Sequence, residues 1–403
     1  MKTPQACRIL ICGAGIIGIT LARELISRGL EDITLIEAEA ALGAHSSGRN
    51  SGVLHSGIYY APESVRAKTC LEGNRLLRAW CEEKGLPLAV TGKVIVARRE
   101  EELISMENLR RRAESNGATV RVVDEKELRE IEPLARTVGN MALYSPETAV
   151  LDPKATLESL TQDCLAGKKA RLLYNTRFTG LKDPRVAKTT GGDIAFSYFI
   201  NTAGPFSDVV AHAFGLGRHY ALIPFKGIYQ EFASPHAAQV RGNIYPVPDP
   251  RNPFLGVHFT RSISGRVYVG PTAIPAFSRL NYKIISDICL REVPSVIHAV
   301  FMMFTRNPGF RAIALSEPRK YFSRFFHADA QELVRQLAPQ EILPCSKVGL
   351  RHQLVDTRDW TMVMDFLAER DERSFHVLNA ISPGFTSSMA LAKHMAETIL
   401  PHL

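Results

Sequence analysis

A continuous apolar run, Cys7 to Cys12 (CRILIC), leads directly into Gly13-Ala14-Gly15-Ile16-Ile17-Gly18. Beyond it, Ile17, Leu21, Ala22 and Leu25 recur at helical spacing as far as Gly29, and a second apolar run, Ile33 to Ile36, ends at Glu37. Each glycine of G-x-G-x-x-G has its own task between a strand and a helix. The first permits the tight turn, the second lets the backbone approach a pyrophosphate, and the third lets helix and strand pack closely. Glu37, 24 positions after Gly13, stands where a carboxylate can accept both hydroxyls of an adenosine ribose. The pattern predicts the first strand-helix-strand unit of a doubly wound α/β sheet. It also predicts dinucleotide contacts from Gly13, Gly15, Ile16, Ile17, Gly18, Glu37 and Ala38, against the bland reading of a glycine turn with no ligand.

This Rossmann-like motif does not separate NAD from FAD, so the following loop has to decide. Residues 43–60 (GAHSSGRNSGVLHSGIYY) have no helical period and read as an extended loop. Ser46, Ser47, Asn50, Ser51 and Gly52 offer hydroxyls, small side chains and backbone N–H groups to a ribityl chain and isoalloxazine ring, which favours FAD. At the other end, Asn379-Ala-Ile-Ser-Pro383-Gly384-Phe385-Thr386 opens a final helix. Its N-terminal N–H groups can stabilise negative charge on a reduced flavin. Phe178, Ala203, Gly204 and Gly349 complete the expected cofactor contacts.

The 403 residues allow about two or three domain-sized units. From about 220 to 275 the pattern changes to short strands broken by Pro and Gly, then to a mostly helical stretch from about Asp287 to Leu337. The expected architecture is an α/β Rossmann-like FAD-binding domain assembled from 1–90, 145–215 and 345–403. A substrate-binding domain of 91–144 and 216–344 would be built on a mainly antiparallel sheet with helices. A composition 45% hydrophobic and 22% charged excludes a disordered chain. The longest uncharged apolar stretch, Ile9 to Ala22, is too short to cross a bilayer. Seven scattered cysteines without a C-x-x-C spacing suggest neither a disulfide framework nor a zinc site, and favour a reducing, cytoplasmic compartment. Because the glycine motif begins so early, no cleaved presequence is expected. Forty-nine Lys and Arg against 41 Asp and Glu give a net charge of +8, which favours anionic partners. With no basic block or zinc-finger spacing, nucleic acid is not among those expected.

Several segments together carry a resemblance: GAGIIG, SGVLHSGIYY at 51–60, NTAG at 201–204, IPFKG at 223–227, IYPVPDPRNPFLGVHFTR at 244–261 and VYVGPTAIPAF at 267–277. In order and over nearly the whole chain, they resemble the D-amino-acid-oxidase-like FAD-dependent oxidoreductases, and within these the L-2-hydroxyglutarate dehydrogenase/oxidase branch. Two departures are Arg49, where that branch usually has His, and Leu350, where it usually has a small residue. The resemblance implies oxidation of a secondary alcohol beside a carboxylate, with hydride passing from the substrate Cα to flavin N5. The alternative substrates are an amino acid, a secondary amine or glycerol-3-phosphate; a flavin-binding scaffold without turnover is the non-enzymatic alternative.

Such a reaction needs a cation for the α-carboxylate and a base for the hydroxyl proton. Arg351 stands where related flavin oxidases place the carboxylate-clamping arginine, and a guanidinium suits that bidentate role. His55, in the loop expected near the flavin, and His258, in the expected substrate-facing sheet, are both candidate bases. For a five-carbon diacid, Lys226 or Arg261 would hold the distal carboxylate, with Tyr60 or Tyr245 donating hydroxyls. The small-molecule 2-hydroxy acid is one partner; the electron acceptor is oxygen, a quinone or an electron-transfer protein. The strip 320–326 (KYFSRFF) gathers four aromatics with basic residues on one expected helical arc, a pattern able to lie on an acidic bilayer. Packing of that helix on its own domain is the competing reading.

Overall fold

The computed structural model describes residues 5–249, 254–283 and 286–403; residues 250–253 of the 244–261 segment lie outside it. The apolar strand Gln5–Cys12 sits in the middle of an eight-stranded sheet among the described residues, parallel to Ile33–Ile36 on one side and Gly192–Asn201 on the other. Ser374–Asn379 extends the parallel core beside Gly192–Asn201. Such strands are covered on both faces, which is why they read as unbroken apolar runs rather than alternating ones. Helices Ile16–Ser27, Val65–Glu83 and Gly384–Ile399 are packed with this sheet through one core that includes Ile9, Ile11, Leu21, Leu25, Leu77 and Leu391.

Local chemistry fixes where these helices begin. Ser64 accepts the Ala67 N–H at 3.1 Å, and the Asp365 carboxylate takes the N–H groups of Val65 and Arg66 at 2.8 and 3.0 Å. That satisfies the orphan donors of the helix that starts at Val65. Arg66 then returns across the gap, donating to the carbonyls of Met364 and Ser382. Helix Pro153–Ala166 starts on Asp152, whose Oδ1 accepts from Lys154 and Ala155, with Pro153 at the first helical position.

A second, ten-stranded sheet among the described residues is antiparallel except where Lys93–Val96 runs parallel to Asn243–Pro246. Its longest strands, Tyr220–Phe232 and Ile342–Asp356, pair with each other, and His258–Arg261 lies between Val267–Gly270 and Asn243–Pro246. The 342–356 strand therefore crosses position 345, where the sequence reading starts the last cofactor-domain segment. Helical elements between 293 and 331 follow, as the sequence pattern suggests.

The 320–326 strip does not form one helical arc. A 3-10 turn over Glu317–Tyr321, entered at Pro318, ends before an extended Phe322, and a new helix begins at Ser323. The break turns Phe326 fully into the second core while Phe322 stays 66% exposed. Among the described residues no helix is long and apolar enough to cross a membrane.

Candidate active site

Between the two sheets lies a cavity of about 720 Å³, walled by the glycine turn, the 45–55 loop, the 349–352 strand segment and the 377–386 loop. At the first of these, Gly13 has φ +106°, a left-handed value that favours glycine, and a Cβ there would collide with the Thr202 carbonyl oxygen. The Glu37 carboxylate faces the same wall, held by the N–H groups of Ala14 (3.2 Å) and Glu39 (3.0 Å). Ser47 Oγ accepts from Ile16 N–H at 3.0 Å, tying the loop to the start of the first helix. Asn50 folds that loop by donating to the Ser47 carbonyl and accepting from Gly52 N–H.

Two helix N-termini open on this cavity, at Gly15 and at Pro383-Gly384, and neither has a side-chain cap. A helix N-terminus carries partial positive charge, so both favour anionic groups nearby. Thr386 joins the second of them to the loop, accepting from His55 N–H at 3.2 Å and donating to the Val53 carbonyl at 3.3 Å.

The far part of the cavity holds Arg351, His55, His258 and Tyr245. Arg351 lies 4.7 Å over the Phe254 ring and donates to Gln353 Oε1 at 3.2 Å. Gln353 is in turn pinned by the Leu354 and Val363 carbonyls. Burial, with Arg66 adding repulsion, lowers the Arg351 guanidinium to about 10, so it stays charged at neutral pH. His258 Nδ1 lies 2.8 Å from the Gly256 carbonyl, which can only accept. Nδ1 must therefore carry the hydrogen, leaving a bare lone pair on Nε2 in the neutral ring. Burial pushes the His258 imidazole down to about 4. His55 is held well below the usual histidine range by burial, with Lys93, His258 and Arg66 adding repulsion. Both rings are neutral at physiological pH.

Most of the expected site residues meet here: Gly13, Gly15, Ile16, Ile17, Glu37, Ala38, Ser46, Ser47, Asn50, Ser51, Phe178, Ala203, Gly204, Gly349 and 383–386 all line the cavity. Five do not. Gly18 packs helix against strand, since a Cβ would strike the Gly13 carbonyl, and Gly52 (φ +79°) turns the chain against the Leu151 carbonyl. Tyr60 sits behind the wall with the Arg66 guanidinium 4.2 Å over its ring. Lys226 Nζ is engaged by Asn281 Oδ1 at 3.0 Å and the Lys283 carbonyl, and Arg261 by the Val240 carbonyl at 2.9 Å. Neither cation lines the cavity, so neither is placed at its wall to meet a distal carboxylate. Of the departures, Arg49 lines the cavity 4.3 Å over the Tyr282 ring, and Leu350 lines it as a buried side chain. Sequence reading missed Lys93, buried beside the two histidines; its signal was a lysine at the head of an otherwise apolar strand.

The profile of the DAO family, FAD-dependent oxidoreductases, matches residues 8–398. The chain belongs to this family. L-2-hydroxyglutarate dehydrogenase of Bos taurus, a mitochondrial protein, is 34% identical over 97% of this chain and 88% of its own length. The enzyme of that name from Indibacter alkaliphilus is 33% identical over 98% of both chains, and that from Escherichia coli K12 is 32% identical over 97% and 92%. A solved structure of dithionite-reduced L-alpha-glycerophosphate oxidase from Mycoplasma pneumoniae, with FAD bound, superposes with a TM-score of 0.75. It is 20% identical and covers 98% of this chain and 95% of that one, a likeness of fold.

As a DAO-family oxidoreductase the chain uses FAD. The wall fits that cofactor: a backbone approach only glycine allows at 13, a fixed carboxylate at 37 and two helix starts without side-chain caps on one cavity. The Gly13–Ile17 turn would take the pyrophosphate, Glu37 the adenosine ribose, Ser46–Ser51 the ribityl side and 383–386 the flavin's anionic edge.

Proposed function

We propose that this enzyme oxidises L-2-hydroxyglutarate to 2-oxoglutarate. The observation carrying this reading is that Arg351 and two neutral imidazoles line one cavity with the glycine turn. The names of relatives 32–34% identical over nearly the whole chain support the substrate. FAD, when bound, would supply the two-electron acceptor for the Cα hydrogen and its electron pair, and the hydroxyl proton would leave separately. Arg351 holds the α-carboxylate by charged hydrogen bonds, its plane oriented by Phe254 and Gln353. His258 Nε2 or the His55 ring takes the hydroxyl proton, leaving the ketone. Tyr245, stacked on His258 with centroids 3.9 Å apart, fixes that imidazole and donates its hydroxyl toward the distal carboxylate.

Anaerobic mixing with L- and D-2-hydroxyglutarate, L-lactate, L-amino acids and glycerol-3-phosphate tests the reading. The L-diacid bleaches the flavin band and yields one 2-oxoglutarate per flavin. Bleaching by an amino acid or glycerol-3-phosphate, with none by any 2-hydroxy acid, refutes it. We also propose a membrane-held electron acceptor, reached through Ile297 and Phe301, exposed one turn apart on the Val293–Arg306 helix that ends in the exposed Arg306. Flotation with acidic vesicles at low salt carries the protein upward; failure to float removes the docking surface.

A further inference from the structure

Lys93 heads the strand Lys93–Val96, between Ser145 on one neighbouring strand and Asn243 on the other. Its side chain is 1% exposed, and its Nζ has no hydrogen-bond partner among the described residues. The ammonium instead lies 4.7 Å from the Tyr59 ring centroid and 5.0 Å from that of Tyr245. Tyr245 is the ring that stacks on His258, so one aromatic separates the cation from a cavity-lining imidazole. His55, on the 53–60 loop, feels the same charge. Among the described residues, the other groups facing this cluster are Cys70 and Arg66 on the Val65–Glu83 helix, Tyr59 and Tyr60 on the loop before it, Tyr229 on the Tyr220–Phe232 strand, and Arg351 on the 342–356 strand. None of them is a carboxylate.

An unpaired ammonium inside a fold is costly, and a methionine would fill the same space without that cost. Tyrosine faces stabilise the cation but leave its field uncompensated. That field acts on the two imidazoles lining the cavity.

We infer that Lys93 is a positioning residue for the oxidation, its buried ammonium adding to the burial that keeps His55 and His258 unprotonated and so free to accept the substrate's hydroxyl proton. The inference rests on the imidazole-base reading above. In the free enzyme a second positive charge on either ring is repelled. Entry of a dianionic substrate offsets the lysine field, so an imidazole becomes a stronger base only once there is a hydroxyl to deprotonate. Burial lowers the Lys93 ammonium to about 7, still above both histidines, so the lysine is charged throughout the range in which the rings titrate.

The pH dependence of kcat/KM for L-2-hydroxyglutarate tests this on the holoenzyme, comparing wild type with Lys93→Met and Lys93→Arg. Removing the charge moves the acid limb up by about one to two pH units, a loss of roughly tenfold or more in kcat/KM near pH 5, and arginine restores the wild-type limb. A limb that stays in place in Lys93→Met overturns the inference. Should the methionine variant fail to fold, Lys93→Gln takes its place with the same expected shift of the limb, and with either variant a wild-type acid limb near the unperturbed histidine value of about 6.5 overturns the inference. His55→Gln and His258→Gln separate the two levels. If both keep kcat/KM within about threefold of wild type, the base reading fails. If either loses about a hundredfold or more while Lys93→Met keeps the wild-type limb, only the role of Lys93 fails.

Discussion

Lys93→Met has a consequence for stability opposite to its consequence for turnover. The unfolded chain keeps the lysine proton up to about 10.5, the folded chain only to about 7. Between those values the unfolded state binds more protons, so stability rises with pH; the full penalty applies at pH 7 and below and vanishes above 10.5. At about 1.4 kcal/mol per pH unit the gap corresponds to roughly 5 kcal/mol. Contacts with the Tyr59 and Tyr245 rings, worth about 0.5–1 kcal/mol each, are lost with the charge, leaving a net gain of about 3–4 kcal/mol for methionine. Thermal unfolding of both holoenzymes at several pH values reads it. The variant melts higher by on the order of 3–5 °C near neutral pH, and the difference shrinks toward pH 10. A constant difference across that range, or a lower melting point for Lys93→Met, refutes the idea that the ammonium is the costly element.

Gly13→Ala abolishes retention of FAD, because the new Cβ meets the Thr202 carbonyl oxygen at a φ of +106°; the flavin-to-protein absorbance ratio after purification checks it. Arg351→Ala lowers kcat/KM for L-2-hydroxyglutarate by roughly a hundredfold or more, the usual cost of losing a charged hydrogen bond, and steady-state kinetics at saturating acceptor measure this. His258, His352 and His376 are each lowered to about 4 by burial, so the unfolded chain takes up protons the folded one refuses. Stability therefore falls as pH drops from about 6.5 to 4, by up to ~3 kcal/mol per ring. A melting temperature unchanged between about pH 7 and 5 would falsify that assignment.

Local signals made much of the cofactor side legible. The Gly13–Gly18 turn, the strand before it and the helix opening at Gly384 are each encoded by contiguous residues whose neighbours matter little. The substrate side depends on which face of a strand meets the cavity. Lys226 lies on a long strand whose partner, Ile342–Asp356, comes from a distant part of the chain, and its side chain reaches Asn281 and stays out of the cavity wall. Arg261 ends a four-residue strand and bends back to Val240. Lys93 looks like a solvent-facing strand terminus until Asn243 and Ser145 are placed on either side of it, a pairing that no local pattern encodes. The 320–326 aromatics have helical spacing, but Pro318 and the extended Phe322 divide them between two elements.

The cavity is walled by Gly13 near one end of the polypeptide and by the start of the Gly384–Ile399 helix near the other. The pocket is consequently a product of tertiary closure, complete only when two segments about 370 residues apart have met. A product truncated before Gly384 would emerge colourless however well its first sheet had formed.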